Sequence, residues 1–257
     1  MEITPIAYFH SPLTSKFGIP RQSGLSPTLA GTIVFTPEYR HPDAIRGLDG
    51  FDYLWLIWQF SANSPQSLRS TQSGASLAKN SSISQSLNLS ISQSPRLTVR
   101  PPRLGGNERI GVFASRSPFR PNNLGLSCVR IERIEITDNQ GPVIHVLGAD
   151  LMDGTPIYDV KPYVAYADAH PDARSGFVDS RQWQPLSVDI PDTLQHHFTG
   201  QHLDALREVL AQDPRPPFHH DPERVYGMPF GGCDVRFRVS DGVVYVVEVK
   251  KLADSNK

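Results

Sequence analysis

Residues 51–60 read Phe51-Asp52-Tyr53-Leu54-Trp55-Leu56-Ile57-Trp58-Gln59-Phe60. Aromatic and β-branched side chains suit a pleated, half-buried surface, so the stretch predicts a buried strand. Its apolar heart, Tyr53 to Trp58, is far short of the roughly 20 residues that a membrane helix needs. Working outward, Ile3 to His10, Gly31 to Thr36, Ile110 to Ala114, Leu124 to Ile136, Val143 to Leu147 and Ile157 to Val160 read as further short strands. His41-Pro42-Asp43 opens a short helix that stops near Gly47. Strands do not alternate with long helices, which argues against a doubly wound sheet. The chain is predicted to be mainly β, a barrel or sandwich.

The pattern changes after Asp168. Residues 171–191, from Pro171 to Pro191, read as a linker. Leu203, Leu206, Val209 and Leu210 recur at helical spacing. Val235 to Val249 reads as a hairpin, with Asp241-Gly242 favouring a type I′ turn. The expected organisation is a β domain over 1–168, a linker over 169–190 and a small α+β domain over 191–257. Residues 61–95 interrupt the first domain. Thirteen are Ser, none is aromatic or acidic, and Arg69 and Lys79 carry the charge. Such a segment buries too little apolar area to offset its ordering entropy, so it is predicted to be a mobile insertion.

Composition excludes several classes. The N-terminus lacks a basic start followed by an apolar core, so no secretory signal is expected. Cys128 and Cys233 stand far apart with no CxxC pair, which speaks for reduced thiols and a cytoplasmic setting. No GxGxxG, P-loop, HExxH or GxSxG motif occurs. The tandem pairs His196-His197 and His219-His220 lack a nearby ligand set, and no metal is expected. The net charge is −1, yet eight of the 19 Arg lie between Arg96 and Arg133 against only Glu108 and Glu132. That local excess of six positive charges suits phosphate contacts.

Three stretches carry candidate chemistry. Val99-Arg100-Pro101-Pro102-Arg103-Leu104-Gly105-Gly106-Asn107 and the run from Gly111 to Gly125 present Arg100, Arg103, Arg116 and Arg120 with Asn122 on Pro- and Gly-shaped loops. Guanidinium groups grip carboxylates and phosphates through paired bonds. Asp150-Leu151-Met152-Asp153-Gly154, followed by Asp159-Val160-Lys161-Pro162-Tyr163, supplies acids that either accept bonds from an amine or ribose or merely cap a turn. Pro20-Arg21-Gln22 reads by itself as a plain loop. From the residues alone, a non-catalytic RNA-binding module and a phosphohydrolase with Asp150, Asp153 and Asp159 on a metal both stay open.

VRPPRLGGN, GVFASRSPFRPNNLG, DGTPIYDVKPY and REVLAQDPRP, taken in this order, resemble the bacterial tRNA methyltransferases of the TrmO (YaeB/TsaA-like) family. The resemblance implies a small single-sheet β-barrel methyltransferase domain, S-adenosylmethionine as donor, and a homodimer with the cofactor near the subunit interface. It implies N6-methylation of N6-threonylcarbamoyladenosine at position 37, in the anticodon loop of tRNA. Carried over residue by residue, cofactor binding falls on Pro20, Arg21, Gln22, Phe60, Ser61, Arg116, Leu126, Asp150, Leu151, Met152 and Asp153. This chain departs from the family at Ser61-Ala62, where a His-containing pair is usual, and in the Ser-rich insertion. Asp153 or Asp159 is expected to accept the N6 proton, with Lys161 or Arg120 on the threonyl carboxylate. Arg100, Arg103, Arg120, Asn122, Tyr163, Asp213 and Arg215 are expected to contact tRNA, the last two from the C-terminal domain.

Overall fold

The computed structural model describes residues 2–60, 97–101, 108–179, 183–216, 219 and 221–253. The Ser-rich insertion with Ser61, and Arg103 with its Gly-rich neighbours, lie outside the described residues. In chain order the strands are β1 (Ala7–His10), β2 (Ala30–Phe35), β3 (Tyr53–Gln59), β4 (Thr98–Val99), β5 (Ile110–Gly111), β6 (Leu124–Thr137), β7 (Gly141–Leu147) and β8 (Thr155–Pro162). A short helix α1 (Ala165–Asp168) follows, then β9 (Ser187–Asp189), α2 (Asp192–Gln195), α3 (Gly200–Ala211), β10 (Tyr226–Phe230), β11 (Cys233–Ser240) and β12 (Val243–Lys251).

Six strands close a barrel in the order β1-β2-β7-β6-β3-β8, every pair antiparallel. Closure removes the exposed edges that an open sheet would present. The alternation in 51–60 sets the register. Leu54, Leu56 and Trp58 point inward and are buried, while Tyr53, Trp55 and Ile57 take the outer face. Phe9, Ile33, Ile144, Val146 and Ile157 complete the filling of the small interior. Opposite β8 the register shifts between Ile57 and Trp58. That irregularity lies at the end of the barrel that carries the site, a common place for one.

The second sheet has the order β10-β11-β12-β9, with β9 parallel to β12. Helix α3 covers it through Ala205, Leu206, Val209 and Leu210. The β11–β12 turn has positive φ at both Asp241 and Gly242, as a type I′ turn requires. The chain is mainly β, a barrel followed by a small β-rich C-terminal domain.

Two expectations need correction, and one strand was not foreseen. The run Ile110 to Ala114 is not one strand: only Ile110–Gly111 pairs, with β4 outside the barrel, and Val112–Ala114 coils into a 3₁₀ turn. Ser115 closes that turn by donating its hydroxyl to the Val112 carbonyl at 2.8 Å, a local bond that competes with sheet pairing. The linker drawn over 169–190 ends earlier, because Ser187–Asp189 is a strand and Leu186, Val188 and Ile190 pack into the C-terminal core. The strand Tyr226–Phe230 was hidden by Gly227 and Pro229; it is an edge strand, where Pro is tolerated.

The two domains share a core. Leu13 and Leu29 come from the loop between β1 and β2, yet both are buried among the apolar residues of the C-terminal sheet. Phe17 and Ile19 of the same loop pack against that cluster. The 11–29 segment is thus a strap between barrel and C-terminal domain.

Candidate active site

One end of the barrel gathers polar groups from five separate segments. Trp58, the last inward residue of β3, donates its indole N–H to Ser127 Oγ at 3.0 Å. Ser127, 1% exposed, donates in turn to Asp150 Oδ1 at 2.5 Å. Asp150 follows β7 after two residues, and its carboxylate also accepts a backbone N–H from Ser23 on the strap. Beside Ser23, Gln22 accepts a bond from the Arg116 guanidinium at 2.6 Å. The result is a continuous chain from the barrel interior to an exposed arginine.

Close packing fixes this chain in place. A Cβ on Gly125 would fall 2.3 Å from the Trp58 ring, so only glycine lets that indole lie across β6. Phe60 packs on the same indole at a tilt, its ring centroid 4.2 Å from that of Trp58. The Phe60 N–H donates to the Asn123 carbonyl at 3.0 Å, tying the end of β3 to the loop before β6. The strap is held to the barrel by Gly24 N–H to Gly148 O at 2.8 Å and Gly148 N–H to Leu29 O at 2.9 Å.

Burial pushes the Asp150 carboxyl above the ordinary carboxylate range. The Ser127 hydroxyl, backbone N–H groups and the charge of Arg116 act in the opposite direction. A desolvated carboxylate beside a guanidinium is a recurrent feature of sites that bind charged small molecules.

The residues expected to bind cofactor divide into groups. Gln22, Arg116 and Asp150 join the chain described above, and Phe60 packs on its Trp58. Pro20 is buried in the strap, while Arg21 is exposed. Leu151 is fully buried in the barrel core, so its side chain is structural. Met152 uses its carbonyl to accept from Thr155 Oγ1 at 2.7 Å. Asp153 Oδ1 accepts the Ser11 N–H at 3.1 Å and faces His10 Nδ1 at 3.2 Å, so it braces the start of the strap. Leu126 lies on the outer wall, 54% exposed. In register it stands beside Ile57, and Ile57 beside Asp159, so these three form one outward row across β6, β3 and β8.

Asp159 and Lys161 face outward on β8 and pair with each other, Oδ2 to Nζ at 3.4 Å. Tyr163 packs edge-on against Tyr53 and tilted against Trp55, farther along the same wall. Arg120 donates to the Ser115 carbonyl at 2.7 Å and so shapes its own loop. Arg100 and Asn122 are exposed. Arg215 is held by Asp213 through two parallel bonds, 2.8 and 2.9 Å, and its side chain is only 14% exposed. The C-terminal pair therefore builds a turn before it offers anything to a ligand. The basic window is likewise split: Arg116 enters the site, Arg120 holds a loop, and Arg133 pairs with Glu132.

Sequence reasoning missed Trp58, Ser127 and Ser23. Ser127 had a usable signal, since it is a polar residue between Gly125 and Val129 on the inward face of β6. Ser23 had none, because its role is a backbone N–H.

The closed barrel, with an arginine and a buried carboxylate assembled at one end, defines a β-barrel protein with a polar site at its rim. Residues 8–169 match the model of the tRNA-methyltransferase O N-terminal domain, and residues 184–252 that of the TrmO C-terminal domain. The chain is 36% identical over 246 residues to the tRNA (adenine(37)-N6)-methyltransferase of Escherichia coli, covering 92% of each chain. It is also 36% identical over 243 residues to a Pseudomonas aeruginosa protein named putative S-adenosylmethionine-dependent methyltransferase RcsF, covering 91% of each. The fold matches a crystal structure of TrmO at a TM-score of 0.69 and 31% identity, covering 97% of this chain and 99% of the other. A crystal structure of TrmO from Pseudomonas aeruginosa matches at 0.69 and 30%, covering 97% of each. The chain belongs to the TrmO family of tRNA methyltransferases.

Proposed function

We propose that this chain transfers a methyl group from S-adenosylmethionine to N6 of N6-threonylcarbamoyladenosine at position 37 of tRNA. The observation that carries the reading is the Arg116–Gln22 and Ser23–Asp150–Ser127–Trp58 assembly in a chain of the TrmO family. Its donor and acceptor set suits the cofactor: a guanidinium for the carboxylate, a desolvated aspartate for the ammonium or ribose hydroxyls, and Phe60 with Trp58 as apolar surface. S-adenosylmethionine, when bound, supplies a methyl group already activated on a sulfonium.

The protein's own task is then to orient the two reactants and to receive a proton. The N6–H of the threonylcarbamoyl form belongs to a urea-like group and is more acidic than that of adenosine. Asp159 is the acceptor, and Lys161, at its side, meets the threonyl carboxylate. Two observations support this choice over Asp153 and Arg120. Asp159 shares the outward row of Leu126, whereas Asp153 braces the strap and Arg120 holds the Ser115 carbonyl. A base in a single-stranded loop reaches such an outer rim without melting a duplex. Arg100 and Asn122 present donors to the anticodon-loop backbone. The Asp213–Arg215 turn contributes by shaping the C-terminal surface. A homodimer in the cytoplasm, with the cofactor near the subunit interface, completes the reading. Among the described residues no helix is long and apolar enough to cross a membrane.

Nucleoside mass spectrometry of tRNA decides the substrate. A strain lacking this gene should lose one methyl group from threonylcarbamoyladenosine and regain it on complementation. An unchanged nucleoside profile rejects the proposal.

A further inference from the structure

The run REVLAQDPRP contains two polar residues, Glu208 and Gln212, that the proposed cofactor and tRNA contacts do not use. They lie one helical turn apart at the end of α3, so they share a face. Both are turned to the strap that carries Gln22 and Ser23. Glu208 Oε2 accepts two bonds from Thr28, from its N–H at 2.9 Å and its hydroxyl at 2.8 Å. Gln212 donates its side-chain amide to the Leu25 carbonyl at 3.1 Å.

We infer that Glu208 is a positioning residue for the cofactor site, acting through the strap rather than on any ligand. The inference rests on the reading that Gln22, Ser23, Arg116 and Asp150 hold the cofactor. The strap is bonded on both edges. The barrel side takes Gly24 N–H on Gly148 O and Ser23 N–H on the Asp150 carboxylate. The C-terminal side takes Leu25 and Thr28 on α3, Leu29 in the apolar core, and Pro12 O on the Gly231 N–H at 3.0 Å. Gln22 and Ser23 lie between these anchors, only two to six residues from Leu25 and Thr28.

Without the two Thr28 bonds, the span from Gln22 to Thr28 keeps its Gly148 bonds at Gly24 and Leu29 but loses a support between them, which lets the side-chain oxygen that must meet Arg116 shift. Supporting bonds of this kind tune a site by fixing the groups that touch the ligand. The C-terminal domain is therefore part of the cofactor site's framework as well as a candidate tRNA surface. Deleting residues 190–257 does not separate the two roles, because Leu13 and Leu29 would lose the core in which they are buried.

The test uses the full chain. S-adenosylmethionine affinity is measured by calorimetry for wild type, Glu208→Ala, Glu208→Gln, Thr28→Val and Arg116→Ala, alongside thermal unfolding and steady-state kinetics. Losing two bonds to a carboxylate is expected to weaken cofactor binding about ten-fold in Glu208→Ala. KM for the cofactor should rise in step, while kcat at saturating cofactor and KM for tRNA stay within about two-fold of wild type. Glu208→Gln, whose amide oxygen still accepts, should recover most of the affinity. Wild-type cofactor affinity in a cooperatively melting Glu208→Ala overturns the inference, as does an equal loss in kcat and in KM for tRNA. If Glu208→Ala does not fold, Thr28→Val decides: it keeps the N–H bond and loses the hydroxyl bond, so its affinity should fall by a few-fold, and wild-type affinity overturns the inference. Arg116→Ala separates the two levels. If it loses affinity while Glu208→Ala keeps it, only the inference fails. If Arg116→Ala itself binds like wild type, the cofactor-site reading fails and the inference with it.

Discussion

Ser127 and Asp150 are joined by a 2.5 Å hydrogen bond that crosses from the barrel interior to the loop after β7. One partner is buried and points inward; the other meets the strap. This bond sets how the site responds to pH. Burial raises the Asp150 carboxyl, and the Ser127 hydroxyl partly lowers it. Cofactor affinity should fall on acidification with a midpoint above the value near 3.9 of an ordinary aspartate. Ser127→Ala removes a lowering influence, so the fall should begin at higher pH. Calorimetric titrations across pH check the shift; a midpoint that moves down, or not at all, contradicts the assignment.

Asp150 also makes a prediction about stability. Its pKa is higher folded than unfolded, so its contribution is fully present below the unfolded pKa and is lost as pH rises through the folded value. Without cofactor, Asp150→Asn should therefore melt at a higher temperature than wild type near pH 7–8. The two should converge on acidification. The same variant should bind the cofactor at least ten-fold more weakly, since a charged hydrogen bond contributes about 1.5–3 kcal/mol.

Gly125 is predicted to tolerate no side chain. Gly125→Ala drives a Cβ into the Trp58 ring and should cost about 1–3 kcal/mol, as overpacked cores do. For a chain of this size that is a fall of several degrees in Tm. The Trp58 bond to Ser127 should weaken with it, so cofactor affinity drops in the same variant.

Asp159→Asn and Lys161→Ala separate proton acceptance from binding. In single-turnover reactions at saturating cofactor, Asp159→Asn should slow methyl transfer about 10²-fold or more, the usual contribution of a positioned base. Lys161→Ala should raise KM for tRNA carrying the threonylcarbamoyl group and leave cofactor affinity unchanged. A full rate in Asp159→Asn moves the role elsewhere.

Arg215 offers a contrast between gripping and building. Its guanidinium is largely buried and doubly bonded to Asp213, so Asp213→Ala should lower stability by about 1–3 kcal/mol. Arg215→Lys should not restore it, because an ammonium cannot reproduce the paired bonds. Thermal unfolding measures this. Unchanged Tm with a raised KM for tRNA would make the arginine a direct phosphate contact.

Much of the barrel was legible because its signal is local. The alternation of Leu54, Leu56 and Trp58 with Tyr53, Trp55 and Ile57 fixes which face is buried, and a strand slipped by one residue would expose all three. The Asp241-Gly242 turn is a dipeptide signal. Ile110 to Ala114 misled because a β-branched run carries no mark of the Ser115 bond that coils it. Ser187–Asp189 was overlooked because three residues make a strand only when Val243 to Tyr245 lies alongside.

The candidate site shows the same division. Arg116, Gln22 and Asp150 stand out as residue types on shaped loops, but their meeting spans 94 positions between Gln22 and Arg116 and 34 between Arg116 and Asp150. No periodicity encodes such distances. The sequence by itself determined the six barrel strands, the Asp241-Gly242 turn, the local excess of arginine and the motifs that resemble the family. Only the tertiary structure decided that the 11–29 loop is a shared strap, that Arg215 is spent on Asp213, and that Asp150 sits desolvated beside Arg116. These are consequences of packing. Burial removes water from a carboxylate and forces each polar group to find a partner, and which partner is near depends on how the barrel closes and what docks against it.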